Sequence, residues 1–283
     1  MGKVVIFSTG AKGGVGKSTM AILMVEALRE AGVSVAGIEG DEHSPSLVRK
    51  YGGAGRVRVG EIDLAALVGA PGAVAFNSAV EAMEAEYLVV NTPASGARIF
   101  EEVPEALAAA SWGKRAAWCL AINADRSGDG IEDDGLLQSM DRGMLAVMDP
   151  GGVTVVRPLF QASYRGQPFW FDKLGGLAGA LGVNEMGVAS IHAQMLEAIH
   201  RDRRSMGELI AALNKSDPML GATLQMFWHA TKADLARTVL AGVELPLGDS
   251  VKFPRGRLFG PGGLMSQASA RPASAKADED LAG

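Results

Sequence analysis

Five short runs along the first 160 residues are almost wholly apolar: "KVVIFST" (3–9), "SVAGIEG" (34–40), "EYLVVN" (86–91), "AAWCLAIN" (116–123) and "GVTVVRP" (152–158). A strand with one face in water alternates apolar and polar residues. A run that stays apolar predicts a strand covered on both faces, as in a parallel sheet. Between the first two runs, Lys17 to Ala31 places Ala21, Met24, Val25 and Leu28 on one face and ends at Gly32. That spacing predicts a helix with a glycine stop. The alternation of strand and helix predicts an α/β domain with a doubly wound, mostly parallel sheet and helices on both faces, over 1–182.

From 183 to 248 the pattern changes. Strand signals stop, and "SIHAQMLEAIHRDRRSMGELIAALNK" and "MLGATLQMFWHATKADLARTVLAG" read as helices, separated by the breaker Asp217-Pro218. This is a helical C-terminal extension packed on the domain, with Phe227 and Trp228 as its docking aromatics. After it, 249–283 is rich in Gly, Ser, Ala and Pro, the composition of a disordered tail. No internal repeat is visible.

Composition narrows the function classes. The net charge of −5 and pI near 5.5 exclude a chain whose whole surface grips nucleic acid, and leave room for a local basic patch. Cys119 is the only cysteine, so neither an intrachain disulfide nor a CxxC metal site is available, which fits a reducing, cytoplasmic setting. No secretory leader and no membrane-spanning segment are expected.

The chemistry concentrates in "AKGGVGKSTM" (11–20), placed between the first strand and the first helix. It fits GxxxxGK[ST], with Ala11 at the first position and Gly16, Lys17 and Ser18 at the rest. A loop of this kind aims backbone N–H groups at a phosphate, and the following helix N-terminus favours negative charge. Gly13, Gly14 and Gly16 permit close approach, with Val15 between them. Lys17 then meets the terminal phosphates, the Ser18 hydroxyl ligates Mg²⁺, and Thr19 follows in the helix.

The second lysine, Lys12, makes "KGGVGKST" resemble the deviant Walker A motif of the ParA/MinD family of P-loop ATPases. The resemblance implies ATP and Mg²⁺ as cofactors and a homodimer that sandwiches the nucleotide, with Lys12 reaching the partner subunit's phosphates. It implies a second acidic residue after the next strand; in "GIEGDEHSPS" Asp41 matches it and orients water near the metal. Glu39 stands where the family's first aspartate is usual, and Glu42-His43 replaces its Pro-Gln. The next switch, "EYLVVNTPASG", keeps the strand and Thr-Pro but has Asn91 where the family has aspartate. Asn91 then reaches the metal through water without a charge, Glu39 supplies some of what is missing, and hydrolysis is slow. Asn123 in "AINADRSG" matches the residue that helps read the base, and Pro158, Gly166 and Pro168 match the segment that passes the adenine. Together Lys12, Lys17 and Asp41 are the catalytic set that the resemblance implies.

The same resemblance, covering about 1–180, implies a nucleotide-timed switch that positions or partitions cargo. Its partners would be itself, a cargo or adaptor protein and DNA bound without sequence preference, with no membrane contact because the tail carries no amphipathic helix. Two other readings stay open: an ATP-binding accessory of conjugative plasmid transfer like the TraL group, and an ATP-dependent synthetase of the same fold. The lone Cys119 excludes the cluster of the nitrogenase iron protein. Three other features are bland. "DRSGDGIEDDGL" (125–136) opens like a calcium loop but ends in Leu136 rather than glutamate. Arg201, Arg203 and Arg204 read as a charged helix face that could also meet DNA phosphates. His43 reads as an exposed loop residue, and His192 and His200 as a surface stripe on one helix.

Overall fold

A computed structural model describes residues 2–53, 57–93, 98–120, 135–158, 178–189 and 191–247. In chain order the elements are β1 (Val4–Thr9), α1 (Lys17–Glu30), β2 (Val35–Glu39), α2 (Ser46–Tyr51), β3 (Arg58–Glu61), α3 (Gly69–Ala82), β4 (Tyr87–Asn91), α4 (Arg98–Glu102), α5 (Pro104–Ala108), β5 (Gly113–Cys119), α6 (Leu136–Arg142), β6 (Val153–Pro158), β7 (Asn184–Val188), α7 (Ala193–Arg201), α8 (Met206–Ser216) and α9 (Pro218–Arg237). The seven strands form one sheet in the order β3-β2-β4-β1-β5-β6-β7, and every neighbouring pair is parallel. This is the doubly wound α/β architecture that the sequence predicts.

The apolar runs are explained by two cores, one on each face of the sheet. Ile6, Val89, Cys119 and Val156 point to the face covered by α1, α2 and α7–α9, where Met24, Leu28, Leu47, Ile199, Leu209 and Trp228 are buried. Val5, Phe7, Leu88, Val90 and Trp118 point the other way, onto α3, α4 and α5, with Phe76, Phe100 and Leu107. Period-2 alternation therefore persists, with both sets of positions apolar.

Two strands escape the sequence reading, and for one reason. β3 and β7 are the edge strands, and they read "RVGE" and "NEMGV" because every position of β3 and most of β7 stay at least partly exposed. β7 falls where strand signals were expected to have stopped; it pairs with β6, and its Met186 and Val188 join the α1-side core. The "RDRRS" stretch also differs from its expected helical face. α7 ends at Arg201 with Asp202 as its C-cap, and Ser205 starts α8 with a capping box to Glu208, so Arg203 and Arg204 lie in the corner between two helices. Arg204 is paired with the Asp202 carboxylate. Among the described residues, no helix is long and apolar enough to cross a membrane.

That corner is fastened to the α1–α2 pair by polar groups. Lys50, fully buried on α2, donates to the Ile199 carbonyl at 2.9 Å and the Asp202 carbonyl at 3.0 Å. Glu26, fully buried on α1, accepts from Tyr51 Oη at 2.8 Å and from the Met206 N–H, at the start of α8, at 2.9 Å. Buried charges persist only when they are paired and hydrogen-bonded. Farther along, Trp228 Nε1 and Lys232 Nζ both donate to the Glu30 carboxylate, tying α9 to the end of α1.

Candidate nucleotide site

The carboxyl ends of β1, β2 and β4 come together in register. Ser8 pairs with Asn91 and Asn91 with Glu39, so three polar residues lie side by side at the mouth of an otherwise apolar sheet. In open α/β sheets this end is where ligands bind. The glycine-rich loop leaves β1 here and returns into α1.

Two glycines shape that loop. Gly10 has φ +152°, and a Cβ on it would meet the Cys119 carbonyl oxygen at 2.4 Å, so the loop presses against the end of β5 as only glycine can. Gly16 is the N-cap of α1 in the left-handed conformation, with φ +97°. It offers no side chain to the helix, and the first intrahelical bond runs from Met20 N–H to the Gly16 carbonyl at 2.9 Å. The N–H groups of Lys17, Ser18 and Thr19 precede that bond, as donors suited to an anion. Val15 is buried and anchors the loop in the core, while Lys12, Gly13 and Gly14 are exposed.

Lys17 is 5% exposed, and its Nζ donates to the Lys12 carbonyl at 2.6 Å. Burial lowers its pKa, against the opposing pull of Cys119 and Asp41. A buried ammonium held by a neutral carbonyl gains from a phosphate oxygen, which answers both its charge and its remaining donors. Its backbone is fixed from below, where Ser8 Oγ donates to the Lys17 carbonyl at 2.7 Å.

The second part of the site is the Glu39–Asn91 pair. Asn91 is fully buried; its Nδ2 donates to Glu39 Oε1 at 2.7 Å and reaches Ser18 Oγ at 3.3 Å. Its Oδ1 is buried with no hydrogen-bond partner among the described residues, an acceptor suited to a metal-bound water. Glu39 Oε1 also accepts from the Asp41 N–H at 3.1 Å, and Oε2 from the Leu47 N–H at 2.8 Å. Despite these three donors, burial raises the Glu39 pKa to about 7. Asp41 folds its own loop: Oδ1 accepts from the His43 and Ser44 N–H groups, both at 3.1 Å. His43 is exposed.

The loop residues 12–19, Glu39, Asp41 and Asn91 thus share one end of the sheet. Pro158 closes β6 opposite Val188. Asn123, Gly166, Pro168 and the acidic stretch 125–134 lie outside the described residues. Among the described residues, no group of three or more His, Cys, Asp and Glu could hold a metal ion. A divalent ion here would depend on Ser18 and on phosphate and water oxygens, the usual Mg²⁺ environment.

One residue next to the site differs from the surface position its sequence predicts. His200 lies on no surface stripe: it is partly buried, and its Nε2 sits 2.9 Å from Thr19 Oγ1. His192 is the N-cap of α7 and accepts from the Gln194 N–H at 3.3 Å. Nothing in the spacing of the two histidines separates these roles, because the 181-residue contact with Thr19 depends on how α7 docks.

The chain matches the model of the CobQ/CobB/MinD/ParA nucleotide binding domain over residues 6–244. Among solved structures it is similar to MinD of Aquifex aeolicus in its complex with MinC, at 18% identity and a TM-score of 0.44, over 82% of this chain and 95% of that one. It is similar to a Borrelia burgdorferi protein assigned to plasmid partition and bound to AMPPNP, at 12% identity and a TM-score of 0.46, over 81% and 98%. It is also similar to cobyrinic acid a,c-diamide synthase of Mycobacterium smegmatis with an ATP analogue and magnesium, at 16% identity and a TM-score of 0.43, over 77% and 97%. No curated protein sequence matches it. The glycine loop, its buried lysine and the parallel sheet fall within the matched span, and the chain belongs to the CobQ/CobB/MinD/ParA nucleotide-binding domain family.

Proposed function

We propose that the protein binds Mg²⁺-ATP in the loop 12–19 and acts as a dimerisation switch of the ParA/MinD type, with slow hydrolysis, that positions DNA or protein cargo. The observation that carries the reading is Lys17: a buried ammonium at the head of α1, held by a loop carbonyl at 2.6 Å, beside helix N–H groups that no side chain caps. The loop N–H groups and Lys17 hold the phosphates, and Ser18 reaches the metal. Bound Mg²⁺-ATP supplies the phosphoryl group and the charge that stabilises its transfer to water. Asp41 orients that water. Asn91 and Glu39 would face a bound metal, but Asn91 is neutral and burial raises the Glu39 pKa to about 7, so a metal here would meet less negative charge than two aspartates would offer, and slow turnover is expected. Lys12, exposed on the loop, neutralises phosphate across the dimer. Asn123 and Pro158 contact the base.

The test is calorimetric titration with ATP and Mg²⁺, with light scattering on wild type and Lys12→Ala. ATP binding by both, with ATP-dependent doubling of mass in the wild type alone, is the expected result. A wild type that binds no ATP overturns the function. A variant that still doubles its mass overturns the role of Lys12. ATPase rates with and without duplex DNA then separate DNA cargo from protein cargo.

A further inference from the structure

His200 joins two parts of the molecule that the nucleotide site does not otherwise use together. Thr19 is the third residue of α1, in the turn that receives the phosphate loop, and is 5% exposed. The ring that meets it comes from the last turn of α7. The backbone around that ring is fixed from both sides: the Ile199 and Asp202 carbonyls accept from Lys50, and the Met206 N–H is held by Glu26. The imidazole is therefore delivered to Thr19 by rigid elements.

The ring is neutral. Burial, then the positive charges of Lys50 and Arg49, lower its pKa to about 4. A neutral imidazole has one N–H donor and one acceptor nitrogen. If Nε2 accepts, the Thr19 proton is spent on the ring. If Nε2 carries the hydrogen, it donates to Thr19 Oγ1 and leaves the Thr19 proton for another acceptor. A phosphate oxygen at the head of α1 is a stronger acceptor than a neutral ring nitrogen, and selects the second arrangement.

We infer that His200 is a positioning residue for the nucleotide, acting through Thr19, whose hydroxyl it turns toward the bound phosphates as a directed donor. The inference rests on the ATP-binding function proposed above. It makes α7, whose end also holds α2, part of the binding site without touching the ligand.

The test is ATP affinity, measured by calorimetry with Mg²⁺, for wild type, His200→Gln, His200→Asn, His200→Leu, Thr19→Val and the double variant His200→Leu/Thr19→Val, with a melting temperature for each. The glutamine amide reaches the place of Nε2, whereas the asparagine amide stops at the place of Nδ1. Losing one hydrogen bond predicts about 3- to 10-fold weaker binding for His200→Leu and His200→Asn, and no more than about twofold for His200→Gln. The double variant should bind no more weakly than Thr19→Val. A merely structural histidine would lower melting temperatures and leave the affinities equal or the two losses additive, and either result overturns the inference. If His200→Leu does not fold, the contrast of glutamine with asparagine decides. A wild type without ATP binding would instead sink the function itself.

Discussion

Replacing Asn91 by aspartate restores the residue that the family has here, and the structure predicts that this damages the free protein. Asn91 Nδ2 donates to Glu39 Oε1 at 2.7 Å, and neither residue is more than 3% exposed. Asn91→Asp removes a hydrogen bond to a charged acceptor, worth about 1.5–3 kcal/mol. It also places two carboxylates about 4 Å apart, which costs about 4 kcal/mol at the effective dielectric of a protein pair. The pair relieves part of this by keeping a proton, since Glu39 already titrates near pH 7. A net loss of about 2–5 kcal/mol at pH 8 without divalent metal follows, or a fall of roughly 5–15 °C in melting temperature for a chain of this size.

The sign of the pH dependence is fixed. Both carboxylates have folded pKa values above their unfolded ones. Their contribution is fully present below the unfolded pKa, about 4–4.5, and is lost as pH rises through the folded values, for Glu39 through about 7. The gap between variant and wild type should be narrower at pH 5.5 than at pH 8. Mg²⁺ between the carboxylates should close it, with about 2.7 kcal/mol recovered at a hundredfold excess over Kd. Scanning fluorimetry at both pH values, with and without Mg²⁺, reads all of this. A variant as stable as wild type at pH 8 without metal, or a gap that pH and Mg²⁺ leave unchanged, refutes the reasoning.

Three other outcomes are expected. Lys17→Ala should weaken ATP binding by at least about tenfold in calorimetry, since a charge-assisted phosphate contact is lost; because the substitution also removes a buried ammonium, the ligand-free melting temperature should move by only a few degrees. Gly10→Ala should destabilise by roughly 2–4 kcal/mol in urea titrations, because its Cβ would lie 2.4 Å from the Cys119 carbonyl oxygen and β1 and β5 would have to part. His200 has a folded pKa of about 4 against an ordinary 6.5, so its contribution is present above 6.5 and is lost as pH falls toward 4; His200→Gln should remove up to about 3 kcal/mol of acid destabilisation, read as urea midpoints at pH 7 and pH 4.5.

What the sequence disclosed was what short-range physics dictates. The central strands announce themselves because both faces are buried, and the phosphate loop because its glycines and lysine must lie at fixed spacing between a strand and a helix. The edge strands β3 and β7 stayed hidden because an edge strand is partly solvated, and four or five half-polar residues resemble a loop. The break between α7 and α8 is legible in principle, because Ser205 and Glu208 have the spacing of the capping box they form. The Glu39–Asn91 bond could be guessed as two departures from a family pattern but not as one contact. Its register depends on β2 and β4 being neighbours, which the chain order conceals. His200 lay beyond reach altogether, since a ring that meets Thr19 and a ring on a surface have the same local sequence.

The Glu39–Asn91 pair changes what the site needs in order to be built. Two aspartates facing each other across adjacent strand ends would require a proton or a cation to remain together. A glutamate facing an asparagine requires neither, because the amide is itself the donor. The longer glutamate also spans further than an aspartate: it accepts from Asn91 on β4, from the Asp41 N–H in the switch loop and from the Leu47 N–H in the first turn of α2. The same carboxylate thus ties the strand ends to the loop that carries Asp41, before any metal or nucleotide arrives. The loop therefore has four hydrogen bonds that need no ligand, two to Glu39 from the Asp41 and Leu47 N–H groups and two to Asp41 from the His43 and Ser44 N–H groups. The cost falls on charge. Glu39 is held to a pKa of about 7 by burial, so the order gained at this end of the sheet comes with less negative charge, which is why the function proposed above expects a weak hold on a metal and slow turnover.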